Sequence, residues 1–279
     1  MLQKTNNISP ILKWVGGKRQ LLPSIVPRIP KSYSTYVEPF LGGGALLFAT
    51  QPKVALVNDV NEELINVYQV VKDDVEELVS LLKTYDSSSE TFYRIRGLDR
   101  DVEKYASLSD VERAARIIYL NKTCFNGLFR VNRKGQFNVP FGKYKKPNIV
   151  NESVLRGVSE YFNSVDITFT SKDYLSVLES IPSDSFVYLD PPYDPISETA
   201  SFTDYAKGGF GRDEQVKLHD ACVALDDMGI KFMLSNSATD FIKKLYADFK
   251  INIVSANRAV NSNGSKRGKV EEVIVWNYV

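Results

Sequence analysis

The tetrapeptide Asp190-Pro191-Pro192-Tyr193 combines a carboxylate, two prolines and an aromatic ring in consecutive positions. Because a proline has a fixed φ and no N–H, the carbonyls of this segment can point outward as hydrogen-bond acceptors. A flat ring beside such acceptors can stack on a planar ligand. These groups suit an amino group on a heteroaromatic ring, such as the exocyclic amine of a base. A bare Pro-Pro pair is more often a turn, so the prediction depends on the neighbouring motifs.

The apolar run 186–189 precedes this tetrapeptide and is typical of a buried strand. We therefore expect the carboxylate and an exposed ring of Tyr193 at the carboxyl edge of a sheet, which is where open α/β sheets bind ligands.

A glycine-rich turn, Phe40-Leu41-Gly42-Gly43-Gly44, lies between a predicted strand and a predicted helix. Glycine there lets the backbone pass close to a ligand, although tight packing alone also explains it. Asp59 ends the next predicted strand, where an acid can accept both ribose hydroxyls of an adenosine-type cofactor. The turn and the acid together are stronger evidence for a cofactor site than either is alone.

For two further segments the sequence allows either a ligand-binding role or a purely structural one. The segment Lys13-Trp14-Val15-Gly16-Gly17-Lys18 could wrap an anionic group, or it is only a turn. Asp173 and Tyr174 follow a predicted strand at 167–170 and could bind the amine and the face of an adenine. Alternatively, Asp173 is the N-cap of a short helix over 174–179.

The order of predicted elements indicates the fold class. Strands and helices alternate up to about residue 71, a mostly helical stretch follows to about 125, and the alternation returns near Val165. The strands 251–254 and 273–276 are predicted to form a terminal antiparallel pair. The sequence therefore predicts an α/β core with parallel strands, interrupted by an insertion that carries a hairpin with its tip at Arg133-Lys134-Gly135.

Composition limits the class of protein. The 279 residues are 43% hydrophobic and 25% charged, and no apolar run approaches the ~20 residues of a membrane span. Residues 1–7 contain no apolar signal region. Two distant cysteines, Cys124 and Cys222, predict a reducing cytoplasm, and with His219 as the sole histidine we predict no metal site. His219 itself is predicted to lie on a helix surface.

The charge is balanced overall at +1 but is unevenly distributed. The segment 128–148 contains no acid and carries six basic residues: Arg130, Arg133, Lys134, Lys143, Lys145 and Lys146. A second basic set lies at Arg258, Lys266, Arg267 and Lys269. Such blocks are either a solvated face or the footprint of a polyanion, and the lack of balancing acids favours the polyanion.

These motifs resemble the Dam-type, α-group DNA adenine-N6 methyltransferases, whose order is cofactor motif, insertion and then Asp-Pro-Pro-Tyr. The resemblance covers nearly the whole chain and is most specific at 126–130 and 137–147, which are similar to the hairpin with which GATC-specific members read DNA. It implies a Rossmann-like methyltransferase sheet with a mostly helical DNA-recognition insertion. The implied catalytic, S-adenosyl-L-methionine-binding domain covers 1–71 and 160–279, and the target-recognition domain covers 72–159.

The resemblance also implies roles for individual residues. Positions matching Trp14, Lys18, Asp59 and Asp190 contact S-adenosyl-L-methionine. Phe40 and Gly42 of the glycine turn, together with Tyr174 and Asp173, complete the predicted cofactor set, although the Asp173 position varies between members. The predicted DNA contacts are Asn126, Leu128, Arg130, Pro140, Lys143, Tyr144 and Lys145, with Arg130 on the outer guanine, as Arg commonly binds guanine O6 and N7.

The predicted reaction is methyl transfer to N6 of adenine in double-stranded DNA at GATC. Asp190 and the Pro191 carbonyl are expected to accept hydrogen bonds from the two N6 N–H groups. Tyr193 is expected to stack on a flipped base. The stretch 197–211 is either a lid over that base or a plain surface loop.

Alternatives come from other classes of protein. Cytosine-N4 methyltransferases more often carry Ser-Pro-Pro-Tyr, and methyltransferases of RNA or of a protein glutamine amide usually carry Asn-Pro-Pro-Tyr. A non-catalytic DNA-binding relative is the remaining alternative. We expect no membrane association and no obligate protein partner. A cognate restriction endonuclease, as in a restriction-modification system, is compatible with the sequence.

Overall fold

The computed structural model describes residues 8–196, 209–257 and 269–279. Within these ranges seven strands form one sheet, in the order β3-β2-β1-β4-β5-β7-β6. The strands are β1 Thr35–Glu38, β2 Val54–Asn58, β3 Asp166–Thr170, β4 Ser185–Leu189, β5 Lys231–Ser237, β6 Lys250–Asn257 and β7 Lys269–Trp276. β1 is parallel to β2 and to β4, β4 is parallel to β5, and β7 is antiparallel to β5 and β6. The predicted α/β class, the Rossmann-like arrangement and the terminal antiparallel pair are confirmed.

The helices of the described ranges are short to medium in length. They are α1 Leu22–Ile25, α2 Ala45–Thr50, α3 Glu62–Asp73, α4 Val75–Lys83, α5 Ser89–Arg96, α6 Val102–Ala106, α7 Asp110–Thr123, α8 Glu152–Asn163, α9 Tyr174–Leu178, α10 Arg212–Asp227 and α11 Asp240–Leu245. Short 3₁₀ helices lie at Lys18–Gln20, Val26–Arg28, Gly97–Arg100 and Phe125–Gly127. None of these helices has the length and apolarity needed to cross a membrane.

Local sequence explains where several helices begin. Ser109 and Glu112 form a reciprocal capping box at the start of α7, and Asn61 and Ser88 cap α3 and α5. α5 ends at Arg96, and the chain continues as the 3₁₀ helix Gly97–Arg100. Gly97 accounts for the end of α5, because glycine is a poor helix former.

The chain divides into two compact units, described separately below. Unit 1 comprises the described part of Met1–Gly17, together with Gly42–Gln51 and Asp59–Ser171. Unit 2 comprises Lys18–Leu41, Pro52–Asn58 and the described part of Lys172–Val279. The predicted lid at 197–211 falls outside the described residues except for 209–211.

Unit 2 contains the strands that bear most directly on function. All five residues of β4 are buried, as expected for a central parallel strand that is covered on both faces. β1 lies between β2 and β4 in the sheet. The chain continues from β1 to β2 on one side and from β4 to β5 on the other side, so the strand order changes direction between β1 and β4. Ligands of open α/β sheets bind at this kind of switch point. Asp190 directly follows β4 there, and Phe40 follows β1.

Candidate functional site

Asp190 is held at the end of β4 by two donors on the same oxygen. Its Oδ1 lies 2.7 Å from Lys18 Nζ and accepts a 3.1 Å hydrogen bond from Ser235 Oγ. Lys18 is itself buried, with a side chain that is 7% exposed. Burial raises the pKa of Asp190, and the charge and hydrogen bond of Lys18 and the Ser235 hydrogen bond oppose that rise. The result is a desolvated carboxylate whose ionised form is supported by a buried ammonium.

The backbone that follows Asp190 is clamped by buried amides. The Pro192 carbonyl accepts a 2.8 Å hydrogen bond from Gln215 Nε2, and Gln215 Oε1 accepts one of 3.0 Å from Asn236 Nδ2. Asn236 Oδ1 in turn accepts the Asp194 N–H at 3.0 Å. The Pro192 carbonyl is therefore already paired, whereas the Pro191 carbonyl accepts no hydrogen bond within the described ranges.

Asp194 anchors the other end of this segment. It is 1% exposed and receives hydrogen bonds from Thr239 Oγ1 at 2.7 Å and from Arg212 Nε at 3.3 Å. A buried carboxylate with two donors is rigid, so the Pro-Pro shelf has fixed supports on both sides.

Tyr193 differs from its prediction as an exposed ring. It is half-buried, its hydroxyl donates a 2.9 Å hydrogen bond to Glu272 Oε2, and Lys18 Nζ lies 4.4 Å from the ring centroid. The sequence could not show this, because Glu272 is 79 positions away and lies on β7. The hydroxyl therefore has a structural partner that a purely stacking role does not require.

An aromatic cluster surrounds Phe40 in unit 2. The Phe40 ring centroid lies 5.0 Å from Tyr174 and 5.8 Å from Phe210. The Tyr174 hydroxyl is buried and has no hydrogen-bond partner among the described residues. Burial raises the pKa of this phenol and the nearby Glu214 carboxylate adds to the rise, so the phenol stays protonated. The Asp173 side chain accepts the Leu175 N–H at 2.9 Å, so the structure shows the N-cap interpretation of Asp173.

The glycine turn and Asp59 contact each other within unit 1. Asp59 Oδ2 accepts the Gly42 N–H at 2.9 Å, and Oδ1 accepts the Asn61 N–H at 3.0 Å. Burial raises the pKa of Asp59 and these two backbone hydrogen bonds oppose the rise. Each oxygen keeps a second lone pair for a further donor.

Trp14 packs directly on this turn. Gly42 has φ +48°, and a Cβ there would lie 2.9 Å from Trp14 Cδ1. Gly42 is therefore required for tight packing against Trp14, which is the alternative explanation for this glycine. Asn121 on α7 positions the Trp14 segment by two hydrogen bonds to the Lys13 backbone, of 2.9 and 2.8 Å. The Trp14 ring also stacks on Phe129 with a centroid distance of 5.0 Å.

The basic hairpin lies in unit 1, with its turn at the predicted position. Isolated antiparallel bridges join Val131 to Phe137 and Cys124 to Phe141, and the turn between Val131 and Phe137 contains Gly135 at φ +77°. Across the Val131–Phe137 bridge, Arg130 Nε donates to Asn138 Oδ1 at 2.7 Å. Six of the predicted DNA contacts are exposed and Leu128 is partly buried, the exposed ones being Asn126, Arg130, Pro140, Lys143, Tyr144 and Lys145.

A buried ion pair supports the hairpin. Asp99 Oδ2 lies 2.6 Å from Arg116 Nη2 and also accepts the Phe137 N–H at 2.7 Å, while Arg100 donates to the Phe137 carbonyl at 2.6 Å. The Asn132 N–H to Gln136 and Asn138 N–H to Arg130 backbone hydrogen bonds flank the Val131–Phe137 bridge, so the N–H and carbonyl of Phe137 point away from the facing arm. Asp99 and Arg100 satisfy this outer edge and thereby anchor the hairpin. Sequence reasoning missed this support, since Asp99 and Arg116 carry no local pattern.

The cysteines and His219 take no part in these clusters. Burial raises the pKa of Cys124 to about 11 and also raises the pKa of Cys222, so neither is a thiolate nucleophile at neutral pH. His219 is partly buried against Tyr246 and Phe249, rather than on the open helix surface that its sequence context predicts.

Comparisons with known proteins identify the family of this chain. The family model described as D12 class N6 adenine-specific DNA methyltransferase matches residues 14–260. Type II methyltransferase M1.LlaDCHI of Lactococcus lactis subsp. cremoris is 46% identical, over 100% of this chain and 99% of that protein. Type II methyltransferase M.MjaIII of Methanocaldococcus jannaschii is 41% identical, over 97% and 99%. The DNA adenine methylase of Escherichia coli is 34% identical, over 94% and 93%. The chain therefore belongs to the D12 class N6 adenine-specific DNA methyltransferase family and acts as an adenine-specific DNA methyltransferase.

Proposed function

We propose that this enzyme transfers a methyl group from S-adenosyl-L-methionine to N6 of adenine in double-stranded DNA, at GATC, with the adenine flipped out of the helix. The observation that carries the proposal is the Asp190 carboxylate, which is half-buried at the end of β4 and bound on Oδ1 by Lys18 and Ser235. This arrangement leaves a desolvated, ionised acceptor beside the Pro191 carbonyl. Such a pair matches the two N–H bonds of an exocyclic amine.

The chemistry follows from the weakness of N6 as a nucleophile. Its lone pair is delocalised into the ring, so acceptors on both N–H bonds favour a pyramidal nitrogen and stabilise the positive charge that develops there. Asp190 and the Pro191 carbonyl are fixed before the reaction and need no reorganisation. S-adenosyl-L-methionine, when bound, would supply the electrophilic methyl group and leave as the neutral thioether. The methylated nitrogen must then lose one proton, and the Asp190 carboxylate that accepts one of its N–H hydrogen bonds is the group proposed to take it. No covalent enzyme intermediate is needed, which agrees with the protonated state of both thiols.

The residues proposed to hold the cofactor offer suitable chemistry in each unit. In unit 2, Lys18 and Asp190 carry the charges that an amino-acid carboxylate and ammonium require, and the Tyr174 hydroxyl lies unpartnered beside Phe40 among the residues that the structure describes. Asp173 completes that group and keeps one carboxylate oxygen beyond its cap. In unit 1, Asp59 retains lone pairs for ribose hydroxyls, and Trp14 and Gly42 form the adjacent turn.

DNA recognition is assigned to residues 72–159 and catalysis to 1–71 and 160–279. Because N6 is inaccessible inside a duplex, the adenine must leave the stack, and Tyr193 is proposed to stack on it. Arg130 is proposed to read the guanine of GATC, and Lys143, Tyr144 and Lys145 to contact phosphate. Asn126, Leu128 and Pro140 complete the proposed surface. If a cognate endonuclease cleaves the same sequence, the enzyme would protect host DNA in the cytoplasm.

The reaction is tested with Asp190→Ala on unmethylated plasmid DNA. Tritium transfer from labelled S-adenosyl-L-methionine should fall by about 10²–10³-fold, as when one interaction with the transition state is removed, while DNA binding in a gel-shift assay persists. Asp227→Ala, an exposed acid at the end of α10, is the matched control. Near-normal turnover of Asp190→Ala would remove Asp190 from the mechanism.

The sequence preference is tested on the same plasmid after methylation by the wild type. Two endonucleases with opposite sensitivity to methylated GATC should give opposite outcomes, protection from one and cleavage by the other. Tritium incorporation without any change at GATC would leave adenine methylation standing and reject GATC as the site.

A further inference from the structure

Ser235 lies beside Asp190 because of the register of β4 and β5. These parallel strands pair Tyr188 with Met233 and Leu189 with Leu234. One residue further along the same register, Ser235 falls opposite Asp190. Ser235 is fully buried, as is Tyr188 one strand away. A small hydroxyl at this register position, directly after the apolar run 232–234, has no packing advantage over alanine, so its hydrogen bonds require an explanation.

The hydrogen bonds form a short chain that ends on the carboxylate. Tyr188 Oη and Ser235 Oγ are 3.0 Å apart, and Ser235 Oγ lies 3.1 Å from Asp190 Oδ1. An ionised carboxylate only accepts, so the single proton of Ser235 points to Asp190. Ser235 Oγ must then accept the proton of Tyr188. The direction of the chain is therefore fixed, from Tyr188 through Ser235 to Asp190.

We propose that Ser235, oriented by Tyr188, is a positioning residue that fixes the rotation of the Asp190 carboxylate, so that Oδ1 is anchored and Oδ2 faces the adenine amino group. The inference rests on the proposed function of Asp190 as the N6 acceptor and assigns a role within that function. Ser235 itself touches neither substrate nor cofactor in this account.

Lys18 alone does not fix this rotation. Its ammonium is a compact charge with three rotatable donors on a flexible stem, so it binds a carboxylate in many orientations. Ser235 projects from a central strand, and its rotamer is held by Tyr188. Lys18 and Ser235 approach Oδ1 from different elements, so together they fix the orientation of the Asp190 carboxylate, which Lys18 alone would leave free to rotate.

The electrostatic surroundings determine the sign of the pH effect. The titratable groups around Asp190 are Lys18, Tyr188, Tyr193 and Glu272, with Glu38 farther away beside Tyr188. The Ser235 hydrogen bond lowers the pKa of Asp190 against the effect of burial. Its removal therefore raises that pKa. Because Asp190 must be ionised to accept the N6 protons, the acidic limb of the rate profile should move to higher pH.

The test compares Ser235→Ala with Ser237→Ala, a matched control on the same strand. Ser237 is also buried, and its hydroxyl has no hydrogen-bond partner within the described ranges. The measurement is the single-turnover rate of tritium transfer as a function of pH, since product release often limits steady-state turnover. The substrate is unmethylated genomic DNA, so that the result does not depend on GATC.

Ser235→Ala should lower the single-turnover rate at neutral pH by about 10-fold to 100-fold, the scale of a small misplacement of a reacting group. Its acidic limb should move up by about one pH unit, which corresponds to about tenfold in the ionisation equilibrium. Ser237→Ala should keep the wild-type rate and profile. Tyr188→Phe should also lower the single-turnover rate and move the acidic limb to higher pH. The double variant should be no slower than Ser235→Ala, because the two residues act in one hydrogen-bond chain.

The outcomes separate this inference from the proposed function. If the wild type transfers no methyl to DNA, the proposed function fails. If the wild type is active and Ser235→Ala retains both its rate and its pH profile, the positioning role is overturned while the function stands. A rate loss in Ser235→Ala without a shift of the acidic limb, accompanied by weaker DNA binding, would indicate a general structural defect and would also overturn the role.

Discussion

The Nε–H of Arg130 donates a 2.7 Å hydrogen bond to the side-chain oxygen of Asn138, across the bridge of the basic hairpin. A longer contact of 3.4 Å joins Arg130 Nη2 to the Asn138 carbonyl. Asn138 thus occupies one edge of the guanidinium and leaves its far end, with the remaining Nη–H groups, open to solvent. That end is a planar fork of donors that matches O6 and N7 of guanine. If Arg130 reads the guanine as proposed, this arrangement orients its side chain before DNA binds.

We predict that Arg130→Ala relaxes sequence choice more than it slows chemistry. One bidentate arginine–guanine pair discriminates by about 1–3 kcal/mol, so the wild type should prefer GATC over CATC, AATC and TATC by roughly ten- to a hundredfold from this contact. The variant should lose most of that preference and still methylate adenine. The preference is measured as the ratio of turnover efficiencies on GATC and on the three altered duplexes, for both proteins.

Asn138→Ala provides the companion variant. It removes the side-chain oxygen that holds Nε but leaves the fork itself, so the preference should weaken less than in Arg130→Ala. If Arg130→Ala keeps the wild-type ratio between GATC and the altered duplexes, another side chain reads this base.

The exposed lysines of the hairpin should act on affinity without regard to sequence. Lys143 and Lys145 are both exposed, and Lys143 has φ +53°, which turns the backbone sharply at this point. Removing one lysine–phosphate interaction should flatten the slope of log affinity against log salt by ~0.9. Fluorescence anisotropy with Lys143→Ala and Lys145→Ala, on GATC and on unrelated duplexes, measures both effects. Lys53→Ala, another exposed lysine, is the control; unchanged slopes in both hairpin variants would mean that neither lysine touches phosphate.

Much of the fold could be predicted because its signals are local. The apolar run before Asp190 identified β4, and the sequence around Asp173 offered an N-cap that the structure shows. The supports of the site could not be predicted in this way. Ser235 and Gln215 reach Asp190 and Pro192 across 45 and 23 positions. Such pairings depend on strand register and helix placement, which no periodicity in the sequence encodes. The one available signal was the polar run Ser235-Asn236-Ser237 at the end of an apolar strand.

The structure also changes what is expected of Tyr193. Stacking requires only the ring, but the hydroxyl holds that ring to Glu272 at 2.9 Å, beside the Lys18 ammonium. We predict that Tyr193→Phe retains most base flipping but loses about 1 kcal/mol of positioning, whereas Tyr193→Ala also loses the ~1–3 kcal/mol of stacking. Fluorescence of 2-aminopurine at the target position and single-turnover rates report the two contributions. Equal defects in both variants would show that the hydroxyl matters more than the ring.

The ion pair beneath the hairpin gives the largest expected effect on stability. Arg116 is 3% exposed, and besides Asp99 it bonds the carbonyls of Ile95 and Arg96 at 3.1 and 3.2 Å. Asp99→Ala would leave this buried guanidinium without its counter-charge and Phe137 without an acceptor for its N–H. We predict a loss of about 3–5 kcal/mol in the free energy of unfolding, the usual result of breaking a buried pair from one side.

Asp101→Ala is the matched control for this variant. Asp101 lies two positions away and is exposed, and its side chain only caps α6 through the Lys104 N–H at 3.1 Å. Losing such a cap costs about 1 kcal/mol. Urea unfolding of the three proteins compares these values directly. Because Asp99 also fixes the backbone at Phe137, Asp99→Ala should weaken GATC preference at temperatures where it remains folded, whereas Asp101→Ala should not. Similar unfolding energies for the two variants would mean that Arg116 finds other partners when Asp99 is absent, and that the pair is not what holds the hairpin in place.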